Sequence, residues 1–309
     1  MTYRMAVEVL AVLSLGLAGA ARGDDPDRTP LTWETGIRYW YSTGSTGYDL
    51  YDDRRPAQEN SRLTYDRLVA QSAEVFFRVE HEETGWFAKG NAGGGAIGKG
   101  HLTDEDFPVA GYPLYSQTIS SQRGGSLRYL TLDAGREIWS NGRARIGAFA
   151  GYNFYREIVH AYGCTQVGQD LFCLPGQIAP DLAVMAQENN WHSGRLGLSG
   201  RVRLIDRLAL SGDAAFIYSY LEGRDHHRMR PGIDPLPIRG QGPGSQVEVI
   251  LDYPVTDAVD IGIGGRCWQF QADGQSYWGE TSDYRGVSNS PTDQWSTRYG
   301  MFVQVSMRF

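Results

Sequence analysis

From residue 299 to residue 309 the chain reads Tyr-Gly-Met-Phe-Val-Gln-Val-Ser-Met-Arg-Phe, apolar at every odd number and small or polar at most even ones. An extended backbone points successive side chains to opposite faces, so this segment is a strand with one apolar and one polar face. The alternation recurs along the chain, and so many two-faced strands must hide one whole sheet surface. A soluble sandwich would pack the apolar faces together, whereas a closed barrel would turn them outward to lipid.

The other end of the chain separates these two. Arg4, the apolar run 9–18 and the small residues Ala18-Gly19-Ala20 read as a secretory signal peptide cleaved near Ala20, with Glu8 an intrusion. An exported chain whose closing strand alternates and stops on Phe309 resembles a bacterial outer-membrane barrel, where a terminal residue of that type is a common assembly signal. Residues 21–31 then form an N-terminal periplasmic segment and 32–309 the barrel. Gly makes up 39 of 309 residues and aromatics 12%, which suits tightly curved sheet with aromatic girdles. Beyond the signal no stretch approaches the roughly 18 apolar residues of a membrane-spanning helix. The net charge of −7 is unchanged when the first twenty residues are removed, since they carry one arginine and one glutamate. That balance argues against a nucleic-acid partner.

Strands are expected near 32–43, 61–81, 86–100, 125–139, 144–160, 187–204, 208–222, 245–254, 259–272 and 295–309. They compose an all-β fold, a ten-stranded antiparallel transmembrane β-barrel. Its periplasmic turns are the short connections 82–85, 140–143, 205–207 and 255–258. Its five extracellular loops lie near 44–60, 101–124, 161–186, 223–244 and 273–294. Short and long connections alternate throughout, and the even strand count leaves both ends of the chain on the periplasmic side.

Within the fifth expected strand, Ala144, Ile146, Ala148, Ala150, Tyr152 and Phe154 face lipid, and Arg145, Gly147, Phe149, Gly151, Asn153 and Tyr155 face the lumen. The sixth turns Leu196, Leu198, Val202 and Leu204 outward and Arg195, Ser199, Arg201 and Arg203 inward, while Glu248, Asp252, Asp260 and Arg266 join the lumenal set. Enclosed charges must neutralise one another, and long charged side chains filling a narrow lumen make a plug rather than a general pore. Cys164 and Cys173 fall in the third long loop of an exported chain and are expected to form a disulfide worth about 2–3 kcal/mol. Cys267 is left alone on a strand as a buried or lipid-facing thiol, with no metal site and no cysteine nucleophile in view.

Residues 93–100 nearly spell a phosphate-binding loop, but Gly100 stands where a magnesium-binding Ser or Thr is needed, and a strand carries the run. Glycines admitting close neighbours in a sheet account for it. Two short acidic patterns carry more. Asp104-Glu105-Asp106 and Asp225-His226-His227 each fall where a long loop interrupts the strands. In extended backbone, residues i and i+2 point the same way, so Asp104 and Asp106 converge, as do Asp225 and His227. Asp225 could orient the His227 imidazole, and two adjacent carboxylates share a proton, so the four could flank a water that attacks an amide carbonyl.

With these motifs the chain resembles the omptins, ten-stranded outer-membrane endopeptidases, across essentially the whole mature sequence. Ser61-Arg62-Leu63-Thr64-Tyr65 is similar to the family's Ser-x-Leu-Asp/Thr-Trp, and the run from Gly98 into Asp104-Glu105-Asp106-Phe107 to its Gly-rich approach to Met-x-Asp-x-Asp-Trp. Gly151-Tyr152 to Arg156, Leu196-Gly-Leu198-Ser-Gly200 and Asp225-His226-His227 match further motifs in order. The resemblance implies that His227 activates the water, Asp225 orients His227, and Asp104 and Asp106 hold the water and stabilise the tetrahedral intermediate. Family members cleave after basic residues with acidic pocket side chains. One of these positions is Gly223 in this chain, followed by Arg224, with Glu222 the candidate substitute. The family's lipopolysaccharide site keeps Tyr152 and Arg156, while Phe154 replaces its Glu and Asn190 stands where a partner Arg is expected.

The leading expectation is therefore a monomeric, cofactor-free endopeptidase of the outer membrane, its site facing the exterior, acting on surface peptides or proteins, with lipopolysaccharide as a lipid partner. The alternatives are a catalytically inactive barrel serving as adhesin or structural protein, and a small channel, which the charged lumen disfavours.

Overall fold

The computed structural model describes residues 30–107 and 116–309, so the expected signal peptide and nearly all of the segment after it lie outside the described residues. Eleven strands follow in chain order: β1 Leu31–Tyr51, β2 Glu59–His81, β3 Trp86–Asp106, β4 Ser116–Gln122, β5 Gly125–Ser140, β6 Ala144–Gln166, β7 Ala183–Ile205, β8 Leu208–His227, β9 Leu236–Pro254, β10 Val259–Ser276 and β11 Ser290–Arg308. All pairings are antiparallel, and β1 pairs with both β2 and β11, so the sheet closes into a ring.

Eleven strands stand where ten were expected. β4 and β5 both lie between β3 and β6, pairing with them over successive stretches. The break between them contains Gly124 at φ +73°, backbone that a residue with a side chain rarely adopts. Residues 116–122, Ser-Gln-Thr-Ile-Ser-Ser-Gln, have no apolar face, which is why alternation alone assigned them to a loop.

The strand ends at the short connections fall within two residues of expectation, whereas at the opposite end the strands run on. β1 continues to Tyr51, β3 to Asp106, β6 to Gln166 and β8 to His227, while β9 begins at Leu236. The reason is the outer surface. Ile37, Tyr39, Tyr41, Leu196, Leu198, Tyr218, Tyr220, Ile261, Ile263, Met301, Val303 and Val305 form an exposed apolar belt, as a sheet standing in lipid requires. Above Tyr41 and Tyr220 the outward positions are Ser45 and Asp49 on β1, Glu222 and Arg224 on β8. The sheet rises beyond the belt there, and its outer face no longer needs to be apolar.

The lumen is filled in layers. At the end of the short turns a cavity of about 750 Å³ opens, lined among others by Arg78, Lys89, Asp133, Arg195, Asp213 and Asp252. Deeper, Arg266 contacts Glu74 at 2.7 Å and Glu248 at 2.5 Å, and Arg38 reaches the same two carboxylates at 2.8 and 3.1 Å. Two cations and two anions thus neutralise each other, with the Arg266 guanidinium also 5.0 Å from the Trp40 ring. Next comes an aromatic layer of Trp40, Tyr129, Tyr155, Trp191, Trp268 and Phe270, none more than 3% exposed, packed ring against ring inside the lumen. Gly93 makes room for it: a Cβ there would stand 2.5 Å from the Tyr129 ring. The glycine run of β3 is thus a packing feature.

Above the aromatics, Arg298 is fully buried, bound to Glu157 at 2.5 Å, Tyr155 at 3.0 Å, Ser42 at 3.2 Å and the Leu68 carbonyl at 3.1 Å. Removing one member of such a pair strands the other charge in low dielectric. Glu157→Ala is expected to destabilise the barrel by about 3–5 kcal/mol, read as a lower urea midpoint. The double replacement Arg298→Met with Glu157→Leu should recover most of that loss.

Candidate active site

Asp104 and Asp106 are carried by β3, opposite Leu63 and Ser61 of β2 and Thr118 and Ser116 of β4. Asp225 and His227 are carried by β8, opposite Gln187 and Met185 of β7. All four therefore stand on rigid strands rather than in the loops expected for them, above the apolar belt. Their i, i+2 spacing aims each pair into the lumen.

Asp225 is fully buried. Its Oδ2 accepts a hydrogen bond of 2.5 Å from the Tyr48 hydroxyl, which reaches across the lumen from β1. The same oxygen is 2.9 Å from Nε2 of His227, an ion-pair distance. Neither that nitrogen nor Asp225 Oδ1 has a hydrogen-bond partner among the described residues, and the buried Tyr65 hydroxyl likewise lacks one.

The charges of the site act on one another. Burial, then the neighbouring Asp106 and Asp225 carboxylates, push the Asp104 carboxyl up to about 7, against the lowering pull of His227 and Arg230. Asp106 is also raised, chiefly by burial, with Ser61, Arg230 and His227 working against the rise. Burial disfavours the charged imidazole of His227, but Asp225 and then Asp104 outweigh it and hold the ring above its ordinary value. Burial followed by Asp225 drives the Tyr48 and Tyr65 hydroxyls far up, so both stay protonated donors. These mutual effects gather Asp104, Asp106, Asp225 and His227 into one electrostatic unit, with Arg230 from the connection after β8 as its nearby cation. Such a unit can hold a proton on a carboxyl while an imidazole gives one up.

Sequence reasoning missed Tyr48, Tyr65 and Arg230. Tyr48 continues the inward series Trp40, Ser42, Thr46 and was lost because β1 was expected to stop at 43. Tyr65 lay within a quoted motif without a role, and nothing in the sequence distinguishes Arg230.

The neighbouring expectations divide. Glu222 and Arg224 point outward, because β8 alternates, so Glu222 does not replace a pocket acid. Gly223 faces inward, and a Cβ there would meet Asn189 Oδ1 at 3.2 Å and Ile238 Cβ at 3.5 Å, so neutral groups form that wall. Tyr152 and Arg156 share the outer face of β6: the Tyr152 hydroxyl is 2.7 Å from His192 Nδ1, and Arg156 pairs with Glu188 at 2.9 Å. Phe154 packs 5.1 Å from the His192 ring, and Asn190 donates to Glu188 at 3.2 Å. Cys164 and Cys173 are joined as expected, their Cα atoms 5.4 Å apart, and Cys267 is a free thiol on the outward side of β10.

The sequence matches no family model and no curated protein. Among solved structures, the outer membrane protease OmpT from Escherichia coli is similar at a TM-score of 0.72 and 14% identity, over 93% of this chain and 99% of that one. The translocator domain of the autotransporter NalP from Neisseria meningitidis gives 0.35 at 11% identity, over 99% and 95%. A Pseudomonas aeruginosa FadL homologue gives 0.29 at 9%, over 94% and 95%. The last two scores are too low to bear on this chain, and the first establishes the fold.

A carboxyl whose folded-state value is raised adds stability while it is protonated and loses it as pH climbs through the raised value. For Asp104 that window runs from about 4, the unfolded value, to about 7. Asp104→Asn stays neutral at every pH. It should raise the thermal midpoint relative to the parent at pH 8 and change it little at pH 4, as followed by thermal unfolding in detergent.

Proposed function

We propose that the chain is an outer-membrane endopeptidase of the omptin type, hydrolysing peptide bonds of polypeptides at the cell surface with an activated water. The observation that carries this reading is the Asp225–His227 contact of 2.9 Å sharing one buried mouth with the raised carboxyl of Asp104. The motif order along the chain and the shared fold lend it support.

In this reading the Asp225 carboxylate, 2.9 Å from Nε2, stabilises the imidazolium that forms, leaving Nδ1 for the water. Tyr48 holds Asp225 in place by donating its hydroxyl to Oδ2. Attack on the amide carbonyl builds negative charge on its oxygen. A protonated Asp104 can donate to that oxygen, and Arg230 can stabilise the charge. Asp106 completes the carboxyl pair that steadies the water. The outward strip of Tyr152 and Arg156 is the proposed contact for lipopolysaccharide, with His192 and Glu188 already engaging both side chains.

The groups nearest Gly223 are Asn189 and Ile238, neither of them a carboxylate that could meet a guanidinium or ammonium. A peptide library should therefore show no enrichment of Lys or Arg before the scissile bond. Strong enrichment would overturn this account of the pocket while leaving the water-activating mechanism standing.

His227→Ala and Asp104→Ala should each lower kcat/KM by about a thousandfold or more, with heat-modifiable migration of the folded barrel retained. Unaltered cleavage in both would sink the mechanism. Tyr48→Phe removes a donor from Asp225, concentrates negative charge beside His227 and raises the imidazole further. The acid limb of the pH–rate profile should move to higher pH, whereas an unchanged profile would deny Tyr48 this role.

A further inference from the structure

At the end of the barrel remote from the candidate site, four arginines stand on adjoining rungs of one wall. Arg145 of β6 is directly opposite Arg201 of β7. One rung further, the Arg203 amide donates to the Arg143 carbonyl at 2.8 Å, which sets that second pair side by side. All four line the 750 Å³ cavity, as does Arg207 in the following turn. Like charges directly opposite each other destabilise a sheet, so two consecutive arginine rungs need an anion to offset them.

The described residues supply little of it. Glu80 meets Arg145 at 2.5 Å but is shared with Arg78. The carboxylate nearest Arg201 is Asp252 at 4.0 Å, and it already accepts from Ser211 at 2.9 Å and Gln304 at 3.0 Å. Arg143, Arg203 and Arg207 form no ion pair with the described residues, although Asp206 lies in the same turn. Elsewhere in this cavity the cations are matched: Lys89 has Asp213 at 2.5 Å, Arg195 has Asp133 at 3.0 Å, and Arg308 pairs with Asp260. The imbalance is local to the β6–β7 wall.

Cross-strand neighbours lie about 5 Å apart and alternate residues along a strand about 7 Å apart, so the four guanidinium groups frame a small patch. Guanidinium forks bind phosphate oxygens in bidentate fashion, and a cavity of this size admits a small solute. We propose that this arginine ladder is a binding site for a phosphate-bearing anion with at least two ionised groups, either a soluble diphosphate or a phospholipid headgroup. The orientation of the side chains into the cavity rather than toward the belt favours the soluble form. The site is independent of any chemistry at Asp225.

The test uses the folded full-length barrel in neutral detergent, titrated calorimetrically with inorganic pyrophosphate at constant ionic strength, with sodium chloride as control. Saturable binding is expected. It should weaken at least tenfold in the double variant Arg201→Gln with Arg203→Gln, and less in Arg201→Lys, which keeps charge but loses the fork. In anion-free buffer the double variant should melt no lower than the parent, because a repulsion has been relieved. A parallel arm compares phosphatidylcholine nanodiscs with and without cardiolipin, whose headgroup carries two phosphates: a ladder-dependent rise in thermal midpoint with cardiolipin, without heat from pyrophosphate, identifies the headgroup as the source. Absence of any ladder-dependent binding in both arms overturns the proposal. So does a double variant that melts lower without anion while binding pyrophosphate as the parent does, since its arginines would then be structural.

Discussion

The fold depends on one electrostatic constraint: a sheet that turns its apolar face outward must enclose its charges and neutralise them inside. Arg38, Glu74, Glu248 and Arg266 do this as two cations and two anions bound to one another, and Arg298 does it with Glu157 and three neutral oxygens. Pairs like these contribute little net stability over an apolar core, but an unmatched member would be severely destabilising. The aromatic layer packs ring against ring between them.

Against that neutral plug, the two ends of the barrel stand out because their charges do not balance. At the mouth, three carboxylates surround one imidazole, with Arg230 as a nearby cation; burial and then the neighbouring carboxylates raise Asp104, and the carboxylates raise His227 against burial. At the opposite end, arginine faces arginine. Both imbalances are held on strands, whose register fixes the spacing of the charges.

Alternation made the barrel legible because lipid imposes an apolar residue at every second position, and the strand ends next to the short turns were readable for the same reason. The signal fades where the belt ends. Above it Ser45, Asp49 and Arg224 satisfy the outer face as well as any apolar residue, so β1 beyond residue 43 and β8 beyond residue 222 read as loop although the backbone ladder continues. The carboxylates and His227 were found through their i, i+2 spacing, which needs only local extension. Tyr48 was not, since its bond to Asp225 joins residues 177 apart across the lumen, and no pattern along the chain encodes a contact between β1 and β8. The β4–β5 break escaped notice because a polar strand above the belt looks like any polar connection.

That bond from β1 to β8 has a temporal side. Tyr48 stands on the first strand, which finds its partner β11 only after the last strand has been made, and Asp104 and Asp225 come from walls that meet only in the closed ring. Until the ring closes, these side chains are not held together. The geometry of the mouth is thus a product of the closed seam, not of any one strand.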